Sequence, residues 1–196
     1  MTAVDALGWL GMAVGTALGL PQLVRLLRTR STAGVSVIAW QAMLAINLGW
    51  ALHGLKIGQP PMWVGSVLSL LLTAPILKIL ADHLRRPVVW VVLPGLAVAG
   101  VMVAVDHLFG SAAYGAFAII PATFVTAGQS VALVRAPHVV GVSPVFLTLA
   151  LANQVVWLAW AVLIADPGTI LAATVSGAIA AFNVVWLAVR AVRGRL

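Results

Sequence analysis

The chain has 196 residues, of which 63% are hydrophobic and 8% are charged, and its mean hydropathy is +1.13. A soluble domain of this length cannot bury so much apolar surface, because charged residues normally form about a quarter of a globular chain. The net charge of +7 does not predict a nucleic-acid partner, since the basic residues flank apolar segments. The absence of cysteine excludes disulfides and thiolate metal sites. The composition predicts an all-α polytopic protein of the lipid bilayer.

Seven apolar segments are long enough to cross the hydrocarbon core, which takes about 20 helical residues. Short breaks with Gly, Pro or charge separate them, as expected between packed helices. The first segment lacks a basic leader and a cleavage pattern, so it is expected to be a retained span and not a signal peptide. The predicted spans are 7–27, 37–56, 61–80, 88–107, 112–134, 144–164 and 169–189.

An internal repeat relates the two ends of the chain at a spacing of 107 residues. Gln22 falls on Gln129, Gly34-Val35-Ser36 on Gly141-Val142-Ser143, and Trp50 on Trp157. Such a fixed spacing through several helices indicates a duplication. The span at 88–107 has no counterpart. The sequence therefore predicts two parallel three-helix repeats joined by a linker helix, a 3+1+3 array with domains 1–86, 87–110 and 111–196.

The basic residues predict the orientation through the positive-inside rule. Only Lys56 lies on the opposite side from the other ten. The rule places the N-terminus outside and the C-terminus in the cytoplasm of a multi-pass protein in the cell membrane. The ten inner basic residues are Arg25, Arg28, Arg30, Lys78, Arg85, Arg86, Arg135, Arg190, Arg193 and Arg195.

Repeat symmetry predicts a binding site between the two triplets near mid-membrane. Trp50 and Trp157 occupy matching places, and an aromatic face can stack on a sugar ring; packing is the alternative interpretation. Asn47, Asn153 and Gln154 share helical faces with these tryptophans. Their amides must face protein or a cavity, where they bond either a solute or another helix.

The segment Leu20-Pro21-Gln22, the basic turn and Ser31-Thr32-Ala33-Gly34-Val35-Ser36 together resemble the PQ-loop motif of the SWEET and SemiSWEET sugar transporters. His53-Gly54 after Trp50 is similar to the Trp-x-x-Tyr-Gly ending of that family's second helix. The resemblance covers nearly the whole chain. It implies the same 3+1+3 fold, an N-terminus outside and pocket tryptophans at positions 50 and 157. Plant relatives form trimers, so a homo-oligomer is compatible with it.

The resemblance also assigns hinge and pocket positions. Family members carry a pocket asparagine about sixteen residues after each tryptophan, where this chain has Ser66 and Ala173. Ser66, Ser69, Thr174 and Ser176 are expected either to bind solute hydroxyls or to allow close helix packing. Family prolines hinge helices 1, 2, 5 and 6. The corresponding hinge and gating candidates here are Pro21, Gln22, Gly128, Gln129 and Pro144.

The positions of the acidic and histidine side chains restrict the possible transport mechanisms. None of the four carboxylates lies in the middle of a span, and the histidines are at or near span ends. Proton-coupled carriers generally need an intramembrane acid or histidine. We expect a facilitative uniporter of a mono- or disaccharide, without cofactor, metal or enzymatic activity. The alternatives are a PQ-loop carrier of another small solute, such as an amino acid, and a non-transporting receptor or scaffold.

Overall fold

A computed structural model describes residues 2–29, 31–32, 35–135 and 143–192, apart from the side chains at 127, 128 and 132. The described part of the chain is helical. Its helices are α1 (Ala3–Thr29), α2 (Val37–Lys56), α3 (Pro60–His83), α4 (88–109), α5 (111–135), α6 (Pro144–Leu163) and α7 (Pro167–Val192). The seven predicted helices are confirmed. Parts of both basic turns, including Gly34 and Gly141, lie outside the described residues, as do Arg30, Arg193 and Arg195.

The boundary between α4 and α5 lies within one hydrogen-bonded stretch, Val88–Arg135, that is broken at Gly110. Gly110 has φ 83° and ψ 178°, a conformation open only to a residue without a Cβ atom. The break falls within the predicted Phe109-Gly110-Ser111 boundary and separates two helices of membrane-crossing length.

Five helical segments of the described chain are long and apolar enough to cross a membrane. They are Ala3–Thr29, Pro60–His83, Val88–Thr126, Pro144–Leu163 and Pro167–Val192. The third is 39 residues long and runs through Gly110, so it contains α4 and most of α5. α2 falls outside this set because Gln41, Asn47, His53 and Lys56 interrupt its apolar sequence.

The helices contact one another in a pattern that recurs in the two halves. α3 packs against both α1 and α2, while α7 packs against α6 and against the Val88–Arg135 stretch. Between the halves, α1 packs against α6 and α2 packs against the Val88–Arg135 stretch. The buried core follows these contacts, from Leu26 and Ile76 between α1 and α3 to Leu133 and Leu187 between α5 and α7.

The turns after α2 and α6 have the same backbone geometry at the 107-residue spacing. The N–H groups of Gly58 and Gln59 donate to the carbonyls of Leu55 and Gly54 at 3.2 and 2.8 Å. This pair of bonds is a Schellman motif, which needs a left-handed residue, and Gly58 has φ 67°. In the equivalent turn after α6, the left-handed residue is Ala165, with φ 55°. The Ala165 N–H donates to the Val162 carbonyl at 3.2 Å, and the Asp166 N–H donates to the Ala161 carbonyl at 3.1 Å.

The N-termini of α2 and α6 are also equivalent. Ser36 Oγ accepts from the Ala39 N–H at 3.2 Å, and Ser143 Oγ accepts from the Phe146 N–H at 3.2 Å. Both serines have extended backbone and occupy the N-cap position. Each therefore satisfies one of the helix-start donors that lack an intrahelical partner.

We expect Ser36→Ala and Ser143→Ala each to lower the free energy of unfolding by about 1 kcal/mol, the usual contribution of an N-cap serine. Unfolding in mixed micelles, followed by tryptophan fluorescence, measures this loss. Thr148→Ala is the control, because the exposed Thr148 hydroxyl donates only to the Pro144 carbonyl within its own helix. A loss in the control as large as in the serine variants would contradict the capping role.

Candidate functional site

Trp50 lies on α2 with its ring against the beginning of α5. Its centroid is 4.8 Å from that of Tyr114, with the rings at 88°, and 5.6 Å from that of His53, at 81°. Both are edge-to-face arrangements, which suit the quadrupoles of aromatic rings. Trp50 is half-buried and packs on a core cluster containing Met102 and Ala118. The predicted site tryptophan therefore lies at the contact between α2 and α5.

Trp157 lies on α6 with its ring against α1. A Cβ atom added to Gly11 would lie 3.1 Å from Trp157 Cε2, so glycine lets the ring approach the helix closely. Trp157 meets Trp160 edge to face at a centroid distance of 5.2 Å, and Trp160 is almost fully buried beside Gly8. The residue that the 107-residue repeat relates to Gly11 is Ala118. Ala118 belongs to the cluster against which Trp50 packs. The two tryptophans thus occupy equivalent interhelical contacts.

The candidate amides have different surroundings. Asn47 Nδ2 is 3.5 Å from Thr73 Oγ1 on α3, an arrangement that matches the interpretation as a helix–helix contact. Asn153 lies beside Gly15 of α1, and its buried Oδ1 has no hydrogen-bond partner among the described residues. Gln154 is half-buried and faces Gly177 of α7.

The hydroxyl candidates are divided between half-buried and exposed positions. Ser66 and Ser176 are half-buried. Thr174 is exposed, and its hydroxyl donates to the Ile170 carbonyl at 2.7 Å. Ser69 contributes its backbone carbonyl, which accepts from Thr73 Oγ1 at 2.8 Å. Of these hydroxyls, that of Thr174 is already engaged as a donor within its own helix.

The hinge candidates are placed at different points along their helices. Pro21 lies inside α1, where it removes one backbone hydrogen bond. Pro144 is the first residue of α6, directly after the Ser143 cap, a position where the missing N–H costs nothing. Gly128 and Gln129 lie within α5, and Gln22 within α1.

A buried ion cluster joins the end of α2 to the ends of three other helices. His53 Nδ1 is 2.9 Å from Asp106 Oδ2, and His53 Nε2 is 3.3 Å from Asp166 Oδ2. The His53 side chain is 0% exposed and each carboxylate is 6% exposed. We call this group, together with Lys56, Ser111 and Thr169, the His53 cluster.

Asp166 accepts most of the hydrogen bonds in the His53 cluster. Its Oδ1 accepts from Ser111 Oγ, and its Oδ2 accepts from the Thr169 N–H at 2.8 Å and from Thr169 Oγ1 at 2.5 Å. Burial alone raises the pKa of Asp166, but the hydrogen bonds from His53, Ser111 and Thr169 outweigh burial and hold that pKa well below its usual range. Asp166 is therefore ionised, and it caps the start of α7.

Lys56 and Tyr114 complete the surroundings of the cluster. Lys56 Nζ donates to the Asp106 carbonyl at 2.7 Å and to Asp106 Oδ1 at 2.9 Å. The Tyr114 ring stacks on the His53 ring at a centroid distance of 4.5 Å and an angle of 11°. The cluster thus connects α2 with the C-terminus of α4 and the N-termini of α5 and α7, and it borders Trp50.

The sequence did not predict this cluster, because it treated His53, Asp106 and Asp166 as polar residues at span ends. A signal was nevertheless present. The predicted topology places the span ends that carry Lys56, Asp106 and Asp166 on the same side of the membrane, where residues of opposite charge can pair.

The fold defines the class of protein as a multi-pass, all-helical membrane protein. No protein-family model matches the chain. Among known proteins, the chain is similar to the sugar transporter SemiSWEET of Escherichia coli (strain UMEA 3162-1), with 29% identity over 66 residues. The aligned segment is 34% of this chain and 74% of that transporter. This similarity supports a SWEET-like relationship.

Proposed function

We propose that the protein is a SWEET-like facilitative transporter, which moves a mono- or disaccharide across the cell membrane by alternating access. One observation carries the proposal: Trp50 and Trp157, related by the 107-residue repeat, occupy equivalent contacts between the two halves of the fold. The similarity to a sugar transporter supports a transport function for this symmetric arrangement.

The proposed architecture is a 3+1+3 array. The first triplet is α1 to α3 (domain 1–86), the second is α5 to α7 (domain 111–196), and α4 (domain 87–110) is the linker. Two observations support it. The third helix of each triplet packs against the other two, and the Schellman turns of Gly58 and Ala165 recur at the repeat spacing.

The proposed orientation has the N-terminus outside and the C-terminus in the cytoplasm. The distribution of basic residues supports it. The His53 cluster then lies toward the outer surface, and the basic turns after α1 and α5 lie inside. Pro21 and Pro144, with Gln22, Gly128 and Gln129, are proposed to lie near the inner gate.

The proposed pocket lies between the halves and combines aromatic and polar surface. Trp50 and Trp157 supply ring faces for a sugar. Asn153 of α6 lies beside Gly15 of α1, and its Oδ1 is a buried oxygen with no partner among the described residues, so a solute hydroxyl would satisfy it. Millimolar affinity needs only about −4 kcal/mol, which a few such contacts supply, and weak binding lets the solute leave on either side.

The proposal is tested by counterflow of labelled sugars in proteoliposomes. We expect uptake of at least one sugar, and Trp50→Ala and Trp157→Ala should each reduce it about tenfold or more, since losing about 1.4 kcal/mol of binding is tenfold in affinity. Trp90→Ala is the matched control, because Trp90 on α4 is 62% exposed and lies outside the proposed pocket.

Two outcomes would contradict the proposal. If folded wild-type protein carries no sugar, sugar transport is wrong, and labelled amino acids are tested next in the same vesicles. If Trp90→Ala reduces flux as much as the other two variants, the tryptophan pair does not form the pocket.

A further inference from the structure

The His53 imidazole is held between two carboxylates, one at each ring nitrogen. A neutral imidazole has one N–H donor and one lone pair. In the neutral form, one ring nitrogen would therefore direct its lone pair at a carboxylate oxygen, either at Asp106 or at Asp166. Only the doubly protonated ring can donate to both carboxylates, so the observed geometry fits a cluster that has bound one proton.

The charges of the cluster lead to the same conclusion. With His53 protonated, two positive side chains, His53 and Lys56, balance the two carboxylates of Asp106 and Asp166. Without that proton, one negative charge is left uncompensated among side chains that are almost fully buried. Burial of an unpaired charge is strongly unfavourable, so the charge balance favours the protonated form of this arrangement.

We propose that the His53 cluster is a proton-binding latch, which holds the outer side of the transporter closed when protonated and releases it when deprotonated. This inference rests on the proposed transport function, because it uses the two halves as the moving parts. His53 and Lys56 belong to the first repeat and Asp166 to the second, so separating the halves on the outer side must break the bond from His53 Nε2 to Asp166.

In the part of the chain that the structure describes, four charged or titratable side chains surround the ring or its carboxylate partners. α2 contributes Lys56, α4 contributes Asp106, α5 contributes Tyr114, and the turn before α7 contributes Asp166. The Tyr114 ring covers one face of the imidazole and limits access of water from that side. His53 is thus the group in the cluster whose ordinary titration range, near about pH 6.5, falls within physiological values.

The sign of the pH effect follows from linkage. The closed state holds the proton between two carboxylates, whereas opening exposes the imidazole to water and separates it from Asp166. The closed state therefore binds the proton more tightly, and acid favours closure. The closed state is fully favoured below about pH 6.5 and loses this advantage as the pH rises.

The absence of cysteine in the natural chain allows a direct test in intact bacterial cells. The first variant is Ala118→Cys, because Ala118 is 2% exposed and packs near Trp50 and Tyr114. A membrane-impermeant thiol reagent reaches this position only when the outer side opens. Ala3→Cys, at an exposed position near the N-terminus, is the reference that corrects for the pH dependence of thiol chemistry.

We expect the labelling of the Ala118→Cys variant, divided by that of the Ala3→Cys variant, to rise by about fivefold or more between about pH 5.5 and about pH 8.5. His53→Gln keeps hydrogen-bonding groups but cannot titrate, so it should abolish this rise. Lys56→Gln removes a positive charge from the half-exposed edge of the cluster. That change strengthens proton binding in the closed state, so the rise should move to higher pH.

The outcomes separate this inference from the proposed function. The latch would be overturned if the labelling ratio did not change with pH in the protein that carries only the cysteine substitution. It would also be overturned if His53→Gln left the rise with pH unchanged. If His53→Gln fails to fold, two other results still test the latch. They are the labelling ratio of the Ala118→Cys variant that keeps His53, and the direction in which Lys56→Gln shifts the rise along the pH scale. Labelling needs no substrate. A pH-dependent labelling ratio in a protein that carries no sugar would therefore support the latch and contradict sugar transport.

Discussion

Gly115→Ala is expected to prevent the close contact between α5 and the start of α7. A Cβ atom on residue 115 would lie 2.2 Å from the Gly168 carbonyl oxygen and 2.6 Å from its Cα. These are backbone atoms, so the clash cannot be relieved by a change of rotamer. Overpacking typically costs about 1–3 kcal/mol and sometimes more, and we expect a loss of about 3 kcal/mol here. Thermal stability in detergent, followed by size-exclusion chromatography after heating, measures it.

Gly100→Ala is the matched control for this substitution. Gly100 also lies in a helix, α4, and an added Cβ atom would meet nothing within 4 Å among the described residues. Alanine is the better helix former by up to about 1 kcal/mol, so this variant should be as stable as the wild type or more stable. Equal losses in the two variants would show that the contact between α5 and α7 is not as close as described.

Asp166→Ala should destabilise the protein by about 3–5 kcal/mol, the usual cost of removing one partner from a buried ion pair. The substitution leaves His53 with one carboxylate and removes the acceptor for Ser111 and for the Thr169 N–H at the start of α7. Hydrogen bonds hold the pKa of Asp166 below its usual value, so its contribution is present at neutral pH and is lost only in strong acid.

Asp82→Ala is the comparison for Asp166→Ala. Asp82 accepts from Lys78 at 2.6 Å, but the pair is exposed and four residues apart on one helix. Such pairs contribute about 0.3–0.5 kcal/mol, so this variant should unfold almost like the wild type. Unfolding of both variants in mixed micelles at neutral pH gives the difference. Similar losses in the two would mean that Asp166 is not buried as described.

Local sequence signals were sufficient for the helices. Apolar length and breaks at Pro, Gly or charge predicted all seven to within a few residues, and the break Phe109-Gly110-Ser111 was recognised by its glycine. The 107-residue spacing also related Ser36 to Ser143, and both serines cap helices in the structure. These features depend on neighbouring residues and on the repeat, both of which can be read along the chain.

The candidate site was predicted less completely. Symmetry predicted matching positions for Trp50 and Trp157, but the partner of each ring depends on helix rotation, which apolar sequences specify weakly. The His53 cluster joins residues separated by 53 and 113 positions. Its formation depends on the bend at Gly110 and on the turn before α7, and no local pattern encodes either distance. Whether the tryptophans bind sugar stays a prediction.

The turn at Gly58 and the turn at Ala165 share a backbone geometry but carry different neighbours, and this difference makes the two halves of the chain unequal. Gln59 stands where the second half has Asp166, and Trp160 stands where the first half has His53. Two copies of the first half would therefore set His53 against Gln59, and two copies of the second half would set Trp160 against Asp166. The ion pair between His53 and Asp166 needs one copy of each half, so the two halves are complementary and cannot replace each other.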